Sequence, residues 1–285
     1  MPYARPEALV TTDWLAGRLN DPDIAIVDAS WHMPATGRDA WGEFRARHIP
    51  GARYFDIDKI ADTSVNLPHM APSEDVFARE VGALGIANRH HVICYDSNAG
   101  AGAAMRAWWL FRLFGHSRVS VLAGGFGKWL AENRPTQSGA PDIQPTTFSA
   151  RFEPRLIRGI SDVQANIGAA REQVVDVRSA GRFNATEPEP REGLRGGHIP
   201  GSINLPFPLL LDPANHNVPR SAEEIAKALN DAGIERDRPI VTSCGSGVTA
   251  CVLAFALHLI GSDAAVYDGS WTEWGGRSDT PIEPA

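Results

Sequence analysis

The chain carries two copies of one unit. Four segments of the first half recur in the same order in the second, offset by about 148 residues. Ile26-Val27-Asp28 returns as Val174-Val175-Asp176, and His48-Ile49-Pro50-Gly51-Ala52 returns as His198-Ile199-Pro200-Gly201-Ser202. Leu84-Gly85-Ile86 corresponds to Ala232-Gly233-Ile234, and the run Leu122 to Trp129 corresponds to Tyr267 to Trp274. Such ordered matches define a tandem duplication. Within each copy, short apolar runs alternate with helix-like stretches. That is the pattern of an α/β domain whose mainly parallel sheet is flanked by helices. At 285 residues the chain has room for two such domains with real cores. The expected layout is a first domain over residues 1–136, a linker over 137–154 and a second domain over 155–285. The linker lies in the stretch from Arg134 to Pro154, which is rich in Pro, Ser, Gly and Thr and lacks apolar periodicity.

Local signals fix the second copy in more detail. Ser161 is expected to cap a short helix, and Gln173 to Val177 reads as a buried strand. Ser221-Ala222-Glu223-Glu224 is a capping box opening a helix that runs to Ala232 and ends at Gly233. Ile240 to Ser243 reads as a strand, Ala250 to Ile260 as a helix stopped by Gly261, and Ala264 to Tyr267 as another strand.

Between that strand and that helix stands Cys244-Gly245-Ser246-Gly247-Val248-Thr249. A strand, a Gly-containing loop and a helix N-terminus together favour negative charge, because loop N–H groups converge where the helix dipole is positive. A cysteine at that point is favoured as its nucleophilic thiolate. Free cysteines are more often core residues, but two glycines and a hydroxyl serve no core position. A cysteine phosphatase would place an arginine six positions on to clamp the phosphate. Here that position is Ala250, and no arginine occurs before Arg277. A smaller target, such as a single sulfur atom, suits the tighter loop. Ser246 does not sit in a Gly-x-Ser-x-Gly elbow and is read as a supporting hydroxyl. Aligned on the preceding strand, the first copy has Cys94-Tyr95-Asp96-Ser97-Asn98-Ala99, with Asp96 at the place of Cys244. An aspartate satisfies a helix dipole but does no thiol chemistry, so the first copy is expected to be catalytically silent.

Composition excludes other classes. A net charge of -7 without a basic stripe argues against nucleic acid. The longest apolar run, Val252 to Ile260, is too short to cross a bilayer, and no secretory signal is visible at the N-terminus. Three cysteines without a Cys-x-x-Cys pair suit a reducing, cytoplasmic setting with one reactive thiol. Cys94 and Cys251 lie in apolar stretches and are read as packing residues. His90-His91 lacks a second cluster at metal-ligand spacing, so neither a metal nor a cofactor is expected. His48 and His198 recur in both copies, including the silent one, and are read as structural.

The chain resembles the two-domain rhodanese family over essentially its whole length. The resemblance rests on both His-Ile-Pro-Gly segments, both terminal Gly-Trp segments and an active cysteine in the second copy alone. Thiosulfate-specific members show Cys-Arg-Lys-Gly-Val-Thr, whereas mercaptopyruvate-type members show Cys-Gly-Ser-Gly-Val-Thr, the version at residues 244–249. The resemblance therefore implies transfer of the sulfur of 3-mercaptopyruvate, through a persulfide on Cys244 held by Gly245, Ser246, Gly247, Val248 and Thr249. The acceptor would be a thiol, with a thioredoxin-type protein as family expectation, or cyanide. It further implies substrate-binding arginines at Arg182 and Arg191, in Gly181-Arg182-Phe183 and Thr186-Glu187-Pro188-Glu189-Pro190-Arg191. Arg178 is instead read as a partner in a structural ion pair. Asp58 and His69, eleven positions apart, match a family relay completed by Ser246. Both belong to the silent copy, so the site is expected between the domains. The alternatives are a thiosulfate sulfurtransferase and a persulfide carrier that turns over no small substrate.

Overall fold

The computed structural model describes residues 2–97 and 102–283. In the first unit the strands are β1 (Leu9–Val10), β2 (Ile24–Asp28), β3 (Arg53–Tyr54), β4 (His91–Tyr95) and β5 (Val119–Leu122). They form one parallel sheet in the order β1-β5-β4-β2-β3. Its helices are α1 (Thr12–Ala16), α2 (Ala40–Ala46), α3 (Glu74–Ala83), α4 (Ala103–Leu113) and α5 (Gly125–Ala131). The second unit supplies β6 (Ile157–Arg158), α6 (Ile160–Ala169), β7 (Gln173–Asp176), α7 (Ala180–Phe183) and β8 (Ile203–Asn204). It continues through a small antiparallel pair, β9 (Leu211–Asp212) and β10 (Val218–Pro219), into α8 (Ala222–Asp231) and β11 (Ile240–Ser243). It finishes with α9 (Ala250–Leu259), β12 (Ala265–Tyr267) and α10 (Ser270–Gly276). Its sheet order, β6-β12-β11-β7-β8, repeats that of the first unit, again in parallel.

The central strands are continuous apolar runs because helices cover both faces of each sheet. Register makes the duplication exact at the point that matters. Asp28 of β2 lies opposite Tyr95 of β4, and Asp176 of β7 lies opposite Ser243 of β11. The next residues, Asp96 and Cys244, therefore occupy the same place beyond the C-terminal edge of their sheets. In open α/β sheets that edge is where ligand sites form.

Two helices join the units. Nearly every residue of α4 and α9 is buried, which suits a helix apolar on all sides. They run side by side in the same direction. Gly102, just before α4, faces Thr249 and Val252, Trp108 meets Phe255 edge-on at 4.8 Å, and Arg112 reaches Asp263 past the end of α9 at 3.2 Å. Gly102 has φ +83, and a Cβ there would stand 3.0 Å from Val252 Cγ2 and 3.3 Å from the Val248 carbonyl oxygen. Only glycine lets the two helix starts approach so closely. One core cluster consequently extends through both units, from Phe77 and Trp109 to Leu253 and Val266.

One local reading needs amendment. Ser161 does not cap α6. The helix starts one residue earlier, at Ile160, and the N–H of the preceding Gly159 donates to Asp162 Oδ2 at 2.9 Å. An acid three residues into the helix serves both that amide and the dipole, leaving Ser161 inside the first turn. The stretch 137–154 forms no helix or strand until its last residue, yet it is strapped to the first unit. Gln137 bridges His48, the Thr146 N–H donates to the Gly82 carbonyl at 2.9 Å, and Phe148 is buried beside Phe77 and Phe111. The capping box at Ser221, the left-handed Gly233 and the left-handed Gly261 all appear as their sequence signals require.

Because α4 and α9 share one core, Trp108→Ala should lower stability by about 3–5 kcal/mol. Urea unfolding followed by fluorescence and circular dichroism should show both units losing structure in one shifted transition. Two separable transitions, with only one displaced, would contradict the shared core.

Candidate active site

Cys244 sits immediately after β11 and is 1% exposed. Its loop is seated on the start of α10. The Cys244 N–H donates to Ser270 Oγ at 3.1 Å, and the Ser270 hydroxyl donates to the Tyr267 carbonyl at 2.8 Å. The Cys244 carbonyl accepts from the Trp271 N–H at 2.9 Å. The Gly245 carbonyl accepts from the Thr272 N–H at 2.8 Å and from the Thr272 hydroxyl at 2.6 Å. Those N–H groups belong to the first turn of α10, where no intrahelical acceptor exists. Among the described residues, the N–H groups of Gly245, Ser246, Gly247, Val248 and Thr249 donate to no protein acceptor. The loop thus presents amides without partners beside a thiol at the start of α9.

Of the two loop glycines, Gly247 is required by its backbone and Gly245 marks where two arginines approach. Gly247 has φ +78, and a Cβ there would stand 2.6 Å from the Asp268 carbonyl oxygen. A Cβ at Gly245 would stand 3.1 Å from Arg182 Nη2 and 3.9 Å from Arg191 Nη1. Both sequence-nominated arginines therefore converge on the loop. Arg182 lies on α7, whose first turn is capped by the Ser179 hydroxyl accepting from the Arg182 N–H at 3.3 Å. Its guanidinium forks onto Glu189, at 2.6 Å to Oε2 and 3.2 Å to Oε1. Glu189 is in turn held by Arg178 at 2.7 Å, and Arg178 is fully buried between Asp176 and the ring of Trp271. Arg178 is a structural ion-pair partner, as its position after β7 suggests.

Arg191 is half-buried and, among the described residues, donates no hydrogen bond to the protein. Burial pulls its pKa down and Arg182 adds to this, while Cys244, Glu189 and Asp58 oppose the change. A cation whose donors are unused, beside a cysteine, is suited to an anionic ligand.

The first unit contributes Asp58 and His69. Asp58 lies in a turn after β3, its N–H donating to Asp56 Oδ1 at 3.0 Å. His69 Nδ1 stands 2.7 Å from Asp58 Oδ1, and the Trp31 indole N–H donates to Asp58 Oδ2 at 2.8 Å. The histidine contact is short but off-axis, so proximity rather than alignment defines it. Burial pushes the Asp58 carboxyl up, but the nearby His69, the Trp31 hydrogen bond and the charge of Arg191 outweigh it and leave the pKa lowered. His69 is 5% exposed, has φ +61, and its Nε2 is buried without a hydrogen-bond partner. Ser246 is 8% exposed and is not hydrogen-bonded to His69. The structure brings Asp58 and His69 together but leaves the third link of the sequence-derived relay open.

The remaining candidates divide cleanly. Cys94 and Cys251 are fully buried; burial raises the Cys94 thiol far above its usual range and pushes the Cys251 thiol up to about 12. His48 and His198 hold backbone carbonyls of Phe44 and Phe183 at 2.7 and 3.0 Å. Asp96 accepts the Ala104 N–H at the start of α4 at 2.8 Å, where the second unit has its cysteine. Asn98 and Ala99 of that loop lie outside the described residues.

Sequence reasoning missed three charged groups. Glu189 orients Arg182. Arg106 of α4, 0% exposed, pairs with Asp268 at 2.7 Å, stacks on Trp109 and donates to the carbonyls of Gly247 and His69. Asp268 also accepts the Ala71 N–H at 2.7 Å. A hint existed: Asp268 stands where the first copy has Ala123, a polar break in an apolar repeat position.

Comparison with known proteins agrees with the duplicated architecture. The family model for the rhodanese-like domain matches residues 11–132 and again 160–277. The chain is similar to the 3-mercaptopyruvate sulfurtransferase of Mus musculus, 46% identical over 273 residues, spanning 94% of this chain and 91% of that protein. It is also similar to the mitochondrial thiosulfate/3-mercaptopyruvate sulfurtransferase 1 of Arabidopsis thaliana, 43% identical over 299 residues, spanning 97% and 78%. The crystal structure of SseA from Escherichia coli, described as a 3-mercaptopyruvate sulfotransferase, superposes with a TM-score of 0.85 at 36% identity, covering 93% of this chain and 98% of that one. The chain belongs to the rhodanese family and carries two rhodanese-like domains.

Proposed function

We propose that the protein is a 3-mercaptopyruvate sulfurtransferase that works through a persulfide on Cys244. The observation that carries this reading is the uncharged loop Cys244 to Thr249 with Arg182 and Arg191 beside Gly245. Mercaptopyruvate bears its charge at the carboxylate, away from the sulfur. Its recognition thus calls for cations beside the loop and none within it. Thiosulfate is charged next to the transferred sulfur and would favour cations in the loop itself.

In the proposed route, Arg191 and Arg182 hold the carboxylate and keto oxygen by charge-assisted hydrogen bonds. The Cys244 thiolate attacks the donor sulfur. An S–S bond forms, the S–C bond breaks, and its electron pair moves onto carbon as the enolate of pyruvate. The donor's thiol proton passes to that carbon, giving pyruvate and leaving the persulfide anion under the loop amides. Ser246, His69 and Asp58 are assigned to this proton transfer, with closure of the open Ser246–His69 gap when the donor is bound. An acceptor thiolate then attacks the outer sulfur and regenerates the Cys244 thiolate. A thioredoxin-type protein thiol is a fitting acceptor, and cyanide would yield thiocyanate. Cytoplasmic action is part of the same reading, supported by three cysteines that are all free thiols.

Initial rates of pyruvate release with a thiol acceptor test the assignment. Wild type should turn over mercaptopyruvate with a higher kcat/KM than thiosulfate, and Cys244→Ser should lose about a thousandfold or more. A variant that kept its turnover without the thiol would end the proposal. Arg191→Gln should raise the mercaptopyruvate KM about tenfold with a smaller change in kcat. An unchanged KM would place the carboxylate elsewhere. Gly245→Arg combined with Ser246→Lys should move the kcat/KM ratio of the two donors toward thiosulfate by about tenfold or more. An unmoved ratio would remove loop charge as the basis of donor choice.

A further inference from the structure

We propose that Arg106 of the silent unit is a positioning residue for sulfur transfer, fixing the His69 segment and the Cys244 loop against each other across the domain interface. The inference rests on the proposed roles of Cys244 and His69. It concerns a residue on α4 that pairs with Asp268 and lies beside the Cys251 thiol.

The guanidinium is 0% exposed, and a buried charge persists in a core only where it is paired; its Nη groups are engaged while its Nε has no hydrogen-bond partner, and the contact with Asp268 Oδ1 is short but off-axis. Its uses all fall on the site's framework. It pairs with Asp268 Oδ1 at 2.7 Å, stacks over the Trp109 ring at 4.4 Å, donates through Nη1 to the Gly247 carbonyl at 3.4 Å and through Nη2 to the His69 carbonyl. The partner carboxylate accepts the Ala71 N–H at 2.7 Å through its other oxygen. One ion pair therefore holds backbone at residues 69 and 71 of the first unit and at 247 of the second.

These are the points where the two segments turn. His69 has φ +61, an unfavourable backbone angle for a side chain with a Cβ, and it is pinned at its own carbonyl and again two residues on. Gly247 has φ +78 and directly follows Ser246. One side chain thus holds the backbone of His69 and of the residue that follows Ser246. Lysine offers a point charge and could not direct separate N–H groups at two carbonyls and a carboxylate.

The test is a double-substitution cycle in the full-length protein, read as pyruvate release per alkylatable Cys244. Arg106→Lys should lower kcat about tenfold to a hundredfold, with the mercaptopyruvate KM changed less than about twofold. In a His69→Gln background the same substitution should cost less than about twofold more, because its effect runs through His69. An unchanged kcat, or losses that multiply, would overturn the proposal, since a merely structural arginine acts independently of His69. If Arg106→Lys does not fold, the pair Arg106→Gln with Asp268→Asn removes both charges together. It should fold and remain slow; recovery of wild-type kcat would reduce Arg106 to charge balance and overturn the idea. If His69→Gln alone keeps wild-type turnover, the relay assignment fails instead. The Gly247 arm then decides: Arg106→Lys should change the iodoacetamide alkylation rate of Cys244 by about threefold or more, and an unchanged rate overturns positioning of the loop.

Discussion

The chemistry depends on where the carbonyls of Cys244 and Gly245 are spent. Both are taken by N–H groups of the first turn of α10, at 2.9 and 2.8 Å. That docking satisfies a helix start which would otherwise lack acceptors, and it turns the loop so that the amides of residues 245–249 remain without protein partners. Buried amides without partners cost free energy until an acceptor such as an anion meets them. Charge on a cysteine-bound sulfur meets that need, and donors already fixed in place need no reorganisation when the charge develops. Gly247 is needed for this turn, since its φ is +78 and a Cβ there would press on the Asp268 carbonyl.

Duplication divided the labour between two equivalent positions. Asp96 and Cys244 follow their strands in the same register, yet one merely satisfies the helix behind it. The first unit faces the second through Asp58, which feels the charge of Arg191, and through Arg106, which pairs with Asp268 and reaches the Gly247 carbonyl. Removing one member of a buried ion pair leaves the other charge uncompensated, at a cost of about 3–5 kcal/mol. The side-by-side packing of α4 and α9 keeps that pair dry and brings the two halves of the site within reach of one guanidinium.

Much of this is legible in the sequence where the information is local. The repeat exposes the duplicated fold, and the strand–loop–helix context around Cys244 singles it out as the candidate nucleophile. Ser221, Gly233 and Gly261 mark helix ends because capping and left-handed angles restrict residue type over a few positions. Ser161 misleads for the same local reason: Asp162 competes for the same helix start and wins by reaching the Gly159 amide. Arg106, Asp268 and Glu189 are different. Their partners lie 162, 162 and 7 positions away at the ion pairs that define them, and only folding reveals that Arg106 meets Asp268 or that Glu189 orients Arg182. The Ser246–His69 link illustrates the reverse case, a family pattern legible in sequence whose hydrogen bond is absent from this state.

The most direct measurement is the intact mass of the protein after one equivalent of 3-mercaptopyruvate without acceptor, with pyruvate counted in the same sample. The expected result is one added sulfur atom on Cys244, matched by an equal amount of pyruvate and erased by a thiol. Pyruvate formed with no sulfur on that residue, or sulfur found on Cys94 or Cys251 instead, would contradict the role given to the open amide ring.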